Sequence, residues 1–197
     1  GSEIRRMGEV GLFEMLKKDN LQLFHKYGVD RIVTTSPHCY HVVKNEYQDS
    51  SFTVSHYTQV IAKLVESGKL RLAQEIKKVV TYQDPCFLGK QNGVYDEPRF
   101  ILRSIPALTF VDLERSKERS LCCGGGGGRM WLDTPSSEVR LAEVRIREAV
   151  ALGAEIIATA CPFCLLNLTD AAKTTGVAEK IQVKDIMELV VEAIPGI

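Results

Sequence analysis

"GVDRIVTTSPHCYHV" at residues 28–42 and "GAEIIATACPFCLLN" at residues 153–167 are two copies of one unit. They align without a gap at an offset of 125, which pairs Gly28 with Gly153, Pro37 with Pro162 and Cys39 with Cys164. Further on, "FTVSHYTQVIAKLVE" matches "IQVKDIMELVVEAI" at an offset of 129, and Arg6-Met7 matches Arg129-Met130 about one helix before the aligned glycine. Self-similarity of this kind marks a supersecondary unit used twice.

Each copy alternates strand-like and helix-like patterns. In the first, Leu12, Leu16, Leu23 and Tyr27 define one face of a helix that ends at Gly28, a good residue for a left-handed helix end. "RIVTT" and "FTVS" then read as strands, followed by an amphipathic helix through "YTQVIAKLVESG". In the second, "KKVVTYQD", "LTFVDL", "EIIATA" and "IQV" read as strands. Helices are predicted around 96–104, from Thr134-Pro135 onward with Val139, Ala142, Ile146, Ala149 and Val150 inward, at "PFCLLNLTDAA" and at "KDIMELVVEAI". The expected fold is α/β: two related lobes with small parallel, flavodoxin-like sheets flanked by helices.

The cysteine pair at 122 and 123 stands seven residues before Arg129, and the equivalent place in the first copy falls before residue 1. The first lobe is therefore expected to be incomplete. Residues 1–75 read as the C-terminal part of a first unit, residues 76–197 as a complete second unit, and the chain as part of a longer protein. Gly1-Ser2 has the look of a protease scar and is set aside from the fold.

The 197 residues are 45% hydrophobic and 25% charged with zero formal net charge. That composition is ordinary for a globular chain and favours neither nucleic acid nor an anionic membrane as a partner. No apolar run approaches the roughly 18 residues of a membrane span. Neither is there a signal-peptide pattern, so a cytoplasmic setting is expected, on the cytoplasmic face of a membrane complex if further segments anchor it.

Chemistry concentrates in the cysteines. Cys86 follows "VVTYQDP" and Cys161 follows "EIIATA", so both belong at the carboxyl edge of the second sheet, where α/β folds bind ligands. Cys161 and Cys164 begin a helix, whose free N–H groups favour thiolate. With Cys122 and Cys123 brought to the same edge, three loops supply five thiolates, one more than a tetrahedral zinc or a cubane cluster uses. The surplus favours a multi-iron cluster, since adjacent cysteines more readily bind or bridge two ions than chelate one. "SLCCGGGGGRM" (120–130) then acquires a meaning: Gly124, Gly125 and Gly126 can bring backbone N–H groups against the sulfurs with no Cβ in the way. A flexible linker is the plainer alternative. Dinucleotide and P-loop signatures fail, because Arg129 and Met130 occupy the positions they need. A disulfide scaffold suits a small secreted domain, and neither length nor N-terminus points to one.

A lone Cys, about 35 residues, CCG, about 36 residues and CxxC resembles the cysteine-rich CCG domain. That family includes the B and D subunits of heterodisulfide reductases, glycolate and lactate oxidase iron–sulfur subunits, and membrane-associated iron–sulfur oxidoreductases paired with electron-transferring flavoproteins. "DPCFLGKQNGVYDEPR", "SLCCGGGGGRMW", "TACPFC" and "TTSPHCYHVVKNEY" are most similar to the last group. The resemblance implies that Cys86, Cys122, Cys123, Cys161 and Cys164 are ligands of a noncubane [4Fe-4S] cluster, with zinc as the alternative. It further implies ferredoxin-type or flavoprotein domains or subunits as partners in electron transfer. On this view the fragment by itself is not a complete enzyme.

Two positions depart from the family pattern. Ser36 stands where relatives have the first Cys of CPxC, so a site in the first lobe is expected to be empty. Gln83 replaces a frequent His before Asp-Pro-Cys. Among smaller candidates, His38, His41 and His56 read first as packing or exposed histidines, with a role facing the site across a cleft as the alternative. Asp84 reads as a turn residue, residues 114–119 as a solvated loop, and Trp131 as packing beside the glycines or shielding a cluster. The leading function is an iron–sulfur electron-transfer or disulfide-reducing module. Its rivals are a zinc-stabilised structural domain and a CPxC thiol–disulfide oxidoreductase with Cys161 as nucleophile, which leaves the cysteine pair unexplained.

Overall fold

The computed structural model describes residues 1–131 and 140–196. Its first part runs α1 (Ser2–Arg6), α2 (Val10–Lys26), β1 (Arg31–Thr34), α3 (Pro37–His41), β2 (Thr53–His56) and α4 (Tyr57–Glu66). The second runs β3 (Val79–Gln83), α5 (Asp96–Arg103), β4 (Thr109–Phe110), α6 (Leu141–Ala151), β5 (Ile156–Thr159), α7 (Pro162–Thr174), β6 (Gln182–Asp185) and α8 (Ile186–Ala193). All strand pairs are parallel: β1 with β2 in one sheet, and β4-β3-β5-β6 in the other. Within the larger sheet the strands of the second unit lie in the order 2-1-3-4, the flavodoxin-like arrangement. The expected α/β class with small parallel sheets is borne out.

The repeat holds residue for residue. Arg31 pairs with Thr53 and Ile156 with Gln182, so the offsets of 125 and 129 carry one register onto the other. Gly28 and Gly153 both close their helices at positive φ, +60° and +79°. Pro37 and Pro162 both open helices, where a missing N–H costs nothing. His56 and Asp185 both cap the helix after the last strand with a reciprocal capping box, to Gln59 and Glu188.

One apolar core is shared by both parts: Tyr40, Tyr57 and Ile61 from the first pack with Val80, Tyr82, Ile101, Ala158 and Leu189 from the second. The opposite face of the larger sheet is covered by α6 and α7 through Ala142, Ile146, Ile157 and Leu168. β5 is buried along its whole length because helices cover both faces.

Several expectations change. On α2, Leu12, Leu23 and Tyr27 are exposed and Leu16 is only half-buried; the inward residues are Phe13, Leu21 and Phe24, against Val42 and Tyr47. The repeat explains this, since Leu21 and Phe24 sit 125 residues before Ile146 and Ala149, which are fully buried on α6. Ser2 is buried in α1 and a Cβ on Gly1 would meet Phe13 at 3.0 Å, so the pair set aside as a scar packs with the fold. The strand predicted at 108–113 shortens to β4, which borders only β3. Thr134-Pro135 and Val139 lie outside the described residues.

Candidate metal centre

The carboxyl ends of β3 and β5 bring three loops together. Cys86 follows β3 after Asp84-Pro85, Cys161 caps α7 with Cys164 one turn in, and Cys122 and Cys123 arrive on the segment before the glycines. Their sulfurs form one chain of contacts. Cys86 bonds Cys122, Cys122 bonds Cys123, Cys123 bonds Cys164, and Cys164 bonds Cys161. All five cysteines singled out in the sequence are thus brought together. Cys39 lies apart from that chain, exposed on α3.

Along this chain Cys122 and Cys161 are held low, and the other three are pushed up. Cys122 is held low by hydrogen bonds from Cys123 and Cys86, joined by the Gly124 backbone and the Lys90 charge. Cys161 is held low chiefly by its bond from Cys164, then by one from His38. The donors show the converse: Cys86, Cys123 and Cys164 are pushed up, each first by its bond to a neighbouring sulfur and further by burial. Five sulfurs this close cannot all ionise against one another without a cationic centre among them.

Two of the three glycines singled out, Gly124 and Gly125, direct their N–H groups at sulfur. Gly124 N–H donates to the Cys122 sulfur at 3.3 Å, and Gly125 N–H to the Cys123 sulfur at 3.4 Å. Gly124, Gly127 and Gly128 have positive φ. A Cβ on Gly126 would meet the His38 ring at 2.9 Å, so the close approach there needs a glycine. Trp131 corrects the expectation placed on it: at 73% exposure it neither packs under the glycines nor shields the sulfurs.

Polar braces hold the loops. Asp84 is no simple turn residue: it is buried, receives both terminal nitrogens of Arg99 at 2.8 Å, and accepts the Lys117 N–H at 2.9 Å. Gln83, also buried, donates to the Leu121 and Asp84 carbonyls and accepts from Arg145. In this chain it ties the Cys86 loop to the Cys122 loop. Residues 114–119 are correspondingly less free than a solvated loop, with Arg115 bonded to Glu148. Asn167 donates to the Cys123 carbonyl and accepts from Arg140. Sequence reading missed it, although it stands three residues after Cys164 and so on the same helix face.

The histidines of the first part split. His56 is buried against Thr58, as a packing histidine would be. His41 reaches Asn92, which donates to the Phe87 carbonyl. His38, 4% exposed, stacks on Phe87 at 4.3 Å and lies against Phe163 at 4.9 Å, the residues that follow Cys86 and precede Cys164.

This donor set suits a cluster better than a single ion. A tetrahedral metal uses four ligands, one fewer than the sulfurs gathered here. A run of five soft sulfurs instead offers ligands to several irons, with backbone N–H groups at hand for the charge of the sulfides.

The chain is similar to known proteins. A family model described as a cysteine-rich domain, CCG, matches residues 1–44 and 80–169. The chain is 39% identical over 198 residues to a probable iron-sulfur-binding oxidoreductase, FadF, of Bacillus subtilis, covering 100% of this chain and 28% of that protein. It is 38% identical over 201 residues to the EtfAB:quinone oxidoreductase of Syntrophomonas wolfei, covering 98% and 28%. Against the D subunit of the heterodisulfide reductase of Methanosarcina barkeri it is 35% identical over 202 residues, covering 98% and 49%. The chain thus spans between about a quarter and a half of the length of these relatives. None of the described helices is long and apolar enough to cross a membrane.

Proposed function

The chain belongs to the cysteine-rich CCG domain family, and from that membership we propose that it is the iron–sulfur electron-transfer module of a heterodisulfide reductase-like oxidoreductase. Cys86, Cys122, Cys123, Cys161 and Cys164 hold a noncubane [4Fe-4S] cluster, and Gly124, Gly125 and Gly126 line it. The observation that carries this reading is the unbroken run of five sulfurs from three loops at one sheet edge. Residues 1–75 are the C-terminal part of a first CCG unit and residues 76–197 a second, a division supported by the matching strand registers.

When bound, the cluster supplies one-electron redox chemistry over several irons and sulfides. The chain's own residues do the rest. The five thiols give up their protons to become ligands, so uptake releases acid. Gly124 and Gly125 offer N–H groups to the sulfurs, while Phe87, Phe163 and His38 wall off one side from water. Electrons pass to other domains or subunits of the parent protein, of ferredoxin or flavoprotein type; the names of the relatives, a quinone oxidoreductase of EtfAB among them, support this. A CPxC redox enzyme is disfavoured because Cys161 is only 1% exposed and attack on a disulfide needs access.

The test is anaerobic reconstitution with ferrous iron and sulfide. Iron and acid-labile sulfide should bind together with visible absorbance, and alanine at any of the five cysteines should reduce both. Tight zinc without colour would support a structural zinc domain, and no iron uptake would end the cluster reading.

A further inference from the structure

His38 belongs to the first part of the chain by sequence and to the second part's sulfurs by position. Its ring sits between Phe87 and Phe163 with centroids 4.3 and 4.9 Å away. Its Cε1 and Nε2 edge faces Gly126 so closely that a Cβ there would stand 2.9 Å and 3.2 Å from the two atoms. Glu3 of α1 lies behind it, with Oε1 2.9 Å from Nδ1, though the contact is out of line for a hydrogen bond. The ring's contact with Phe163, two residues after Cys161, brings it beside the sulfurs, where a hydrogen bond from His38 helps hold the Cys161 thiol low; with Nδ1 turned to Glu3, Nε2 is the nitrogen left to make it.

The chemistry of such a bond is specific. An N–H aimed at a ligating thiolate withdraws charge from the sulfur, and hydrogen bonds to sulfur are among the levers that set a cluster's potential. Because the ring is clamped by two aromatics and a glycine, its N–H does not have to be ordered when the electron arrives.

We propose that His38 is a positioning residue supplied by the first unit to the second unit's centre, where its Nε2–H bonds the Cys161 sulfur and raises the reduction potential of the cluster. The proposal rests on the cluster reading above. It also gives the first unit a task unrelated to Ser36: completing the neighbouring site.

The experiment compares reconstituted wild type with His38→Phe, which keeps the ring stack and loses the N–H, and His38→Gln, which restores an N–H near Nε2. Each is titrated potentiometrically while the sulfur-to-iron absorption band is recorded, with circular dichroism to check the fold. A more negative potential and a displaced band are expected in His38→Phe, with at least half of each change recovered in His38→Gln. Equal potentials in wild type and His38→Phe, or no recovery in His38→Gln, would overturn the proposal. A second arm needs no metal: imidazole nitrogen NMR of the metal-free chain, with and without Cys161→Ala. The Nε2 resonance of His38 should move on loss of Cys161, and an unmoved resonance refutes the contact. Failure of wild type to bind iron would defeat the cluster reading and the redox role together, while the nitrogen spectrum still decides whether the contact exists.

Discussion

Arg99 grips Asp84 with two parallel bonds of 2.8 Å, and both side chains are 1% exposed. This fork fixes the turn that delivers Cys86, and through the Lys117 N–H it also steadies the approach to Cys122. Breaking a buried pair by removing one partner leaves the other charge stranded. Arg99→Met is expected to cost about 3–5 kcal/mol in denaturant unfolding. Iron uptake at a temperature where the variant remains folded should fall as well.

Tyr57 makes a second long-range tie, donating to Asp185 at 2.6 Å across 128 residues. Asp185 also caps α8 through the Met187 N–H. Tyr57→Phe removes only the cross-link, so a loss of about 2 kcal/mol is expected, in the range for hydrogen bonds to charged groups. A chain losing less than about 0.5 kcal/mol would mean that this bond adds little to the joining of the two parts.

His56 supplies a pH dependence. Burial pushes its imidazole down from 6.5 to about 4, against weaker upward pulls from the Thr35 and Ala160 backbones, on which Nε2 does not align. The folded chain therefore resists a proton that the unfolded chain accepts below about pH 6.5. Stability is full above that pH and declines as pH falls toward 4, by roughly 3 kcal/mol in all. Unfolding of the metal-free chain followed between pH 4 and 7 should show this slope, and His56→Gln should flatten it.

Two glycines give opposite outcomes. Gly126→Ala drives a methyl into the His38 ring, and a cost of about 1–3 kcal/mol with weaker iron uptake is expected. Gly11, in α2, has open space for 4 Å around the place a methyl would take, and no positive φ. Gly11→Ala should stabilise the chain by about 0.5 kcal/mol, read as a rise in melting temperature.

The strands and their order were legible because Gly28/Gly153 and Pro37/Pro162 recur at one spacing, and a repeated unit keeps its register. The face of α2 was not. Leu12, Leu16, Leu23 and Tyr27 satisfy a helical period as well as Phe13, Leu21 and Phe24 do, and only the position of the neighbouring Val42 and Tyr47 chooses between them. The five cysteines announced themselves through spacing alone. Arg99, Arg145 and Asn167 did not, because a buried brace looks like any surface polar residue until its partners, 13 or more residues away, are in place.

Burial of the thiols is graded: Cys39 lies open, Cys86 and Cys122 stand at a rim, and Cys123, Cys161 and Cys164 are enclosed. An alkylating reagent therefore works as a depth gauge on the metal-free chain. Labels accumulate from the outside inward, and modification of the innermost three reports loops swinging apart rather than intrinsic nucleophilicity.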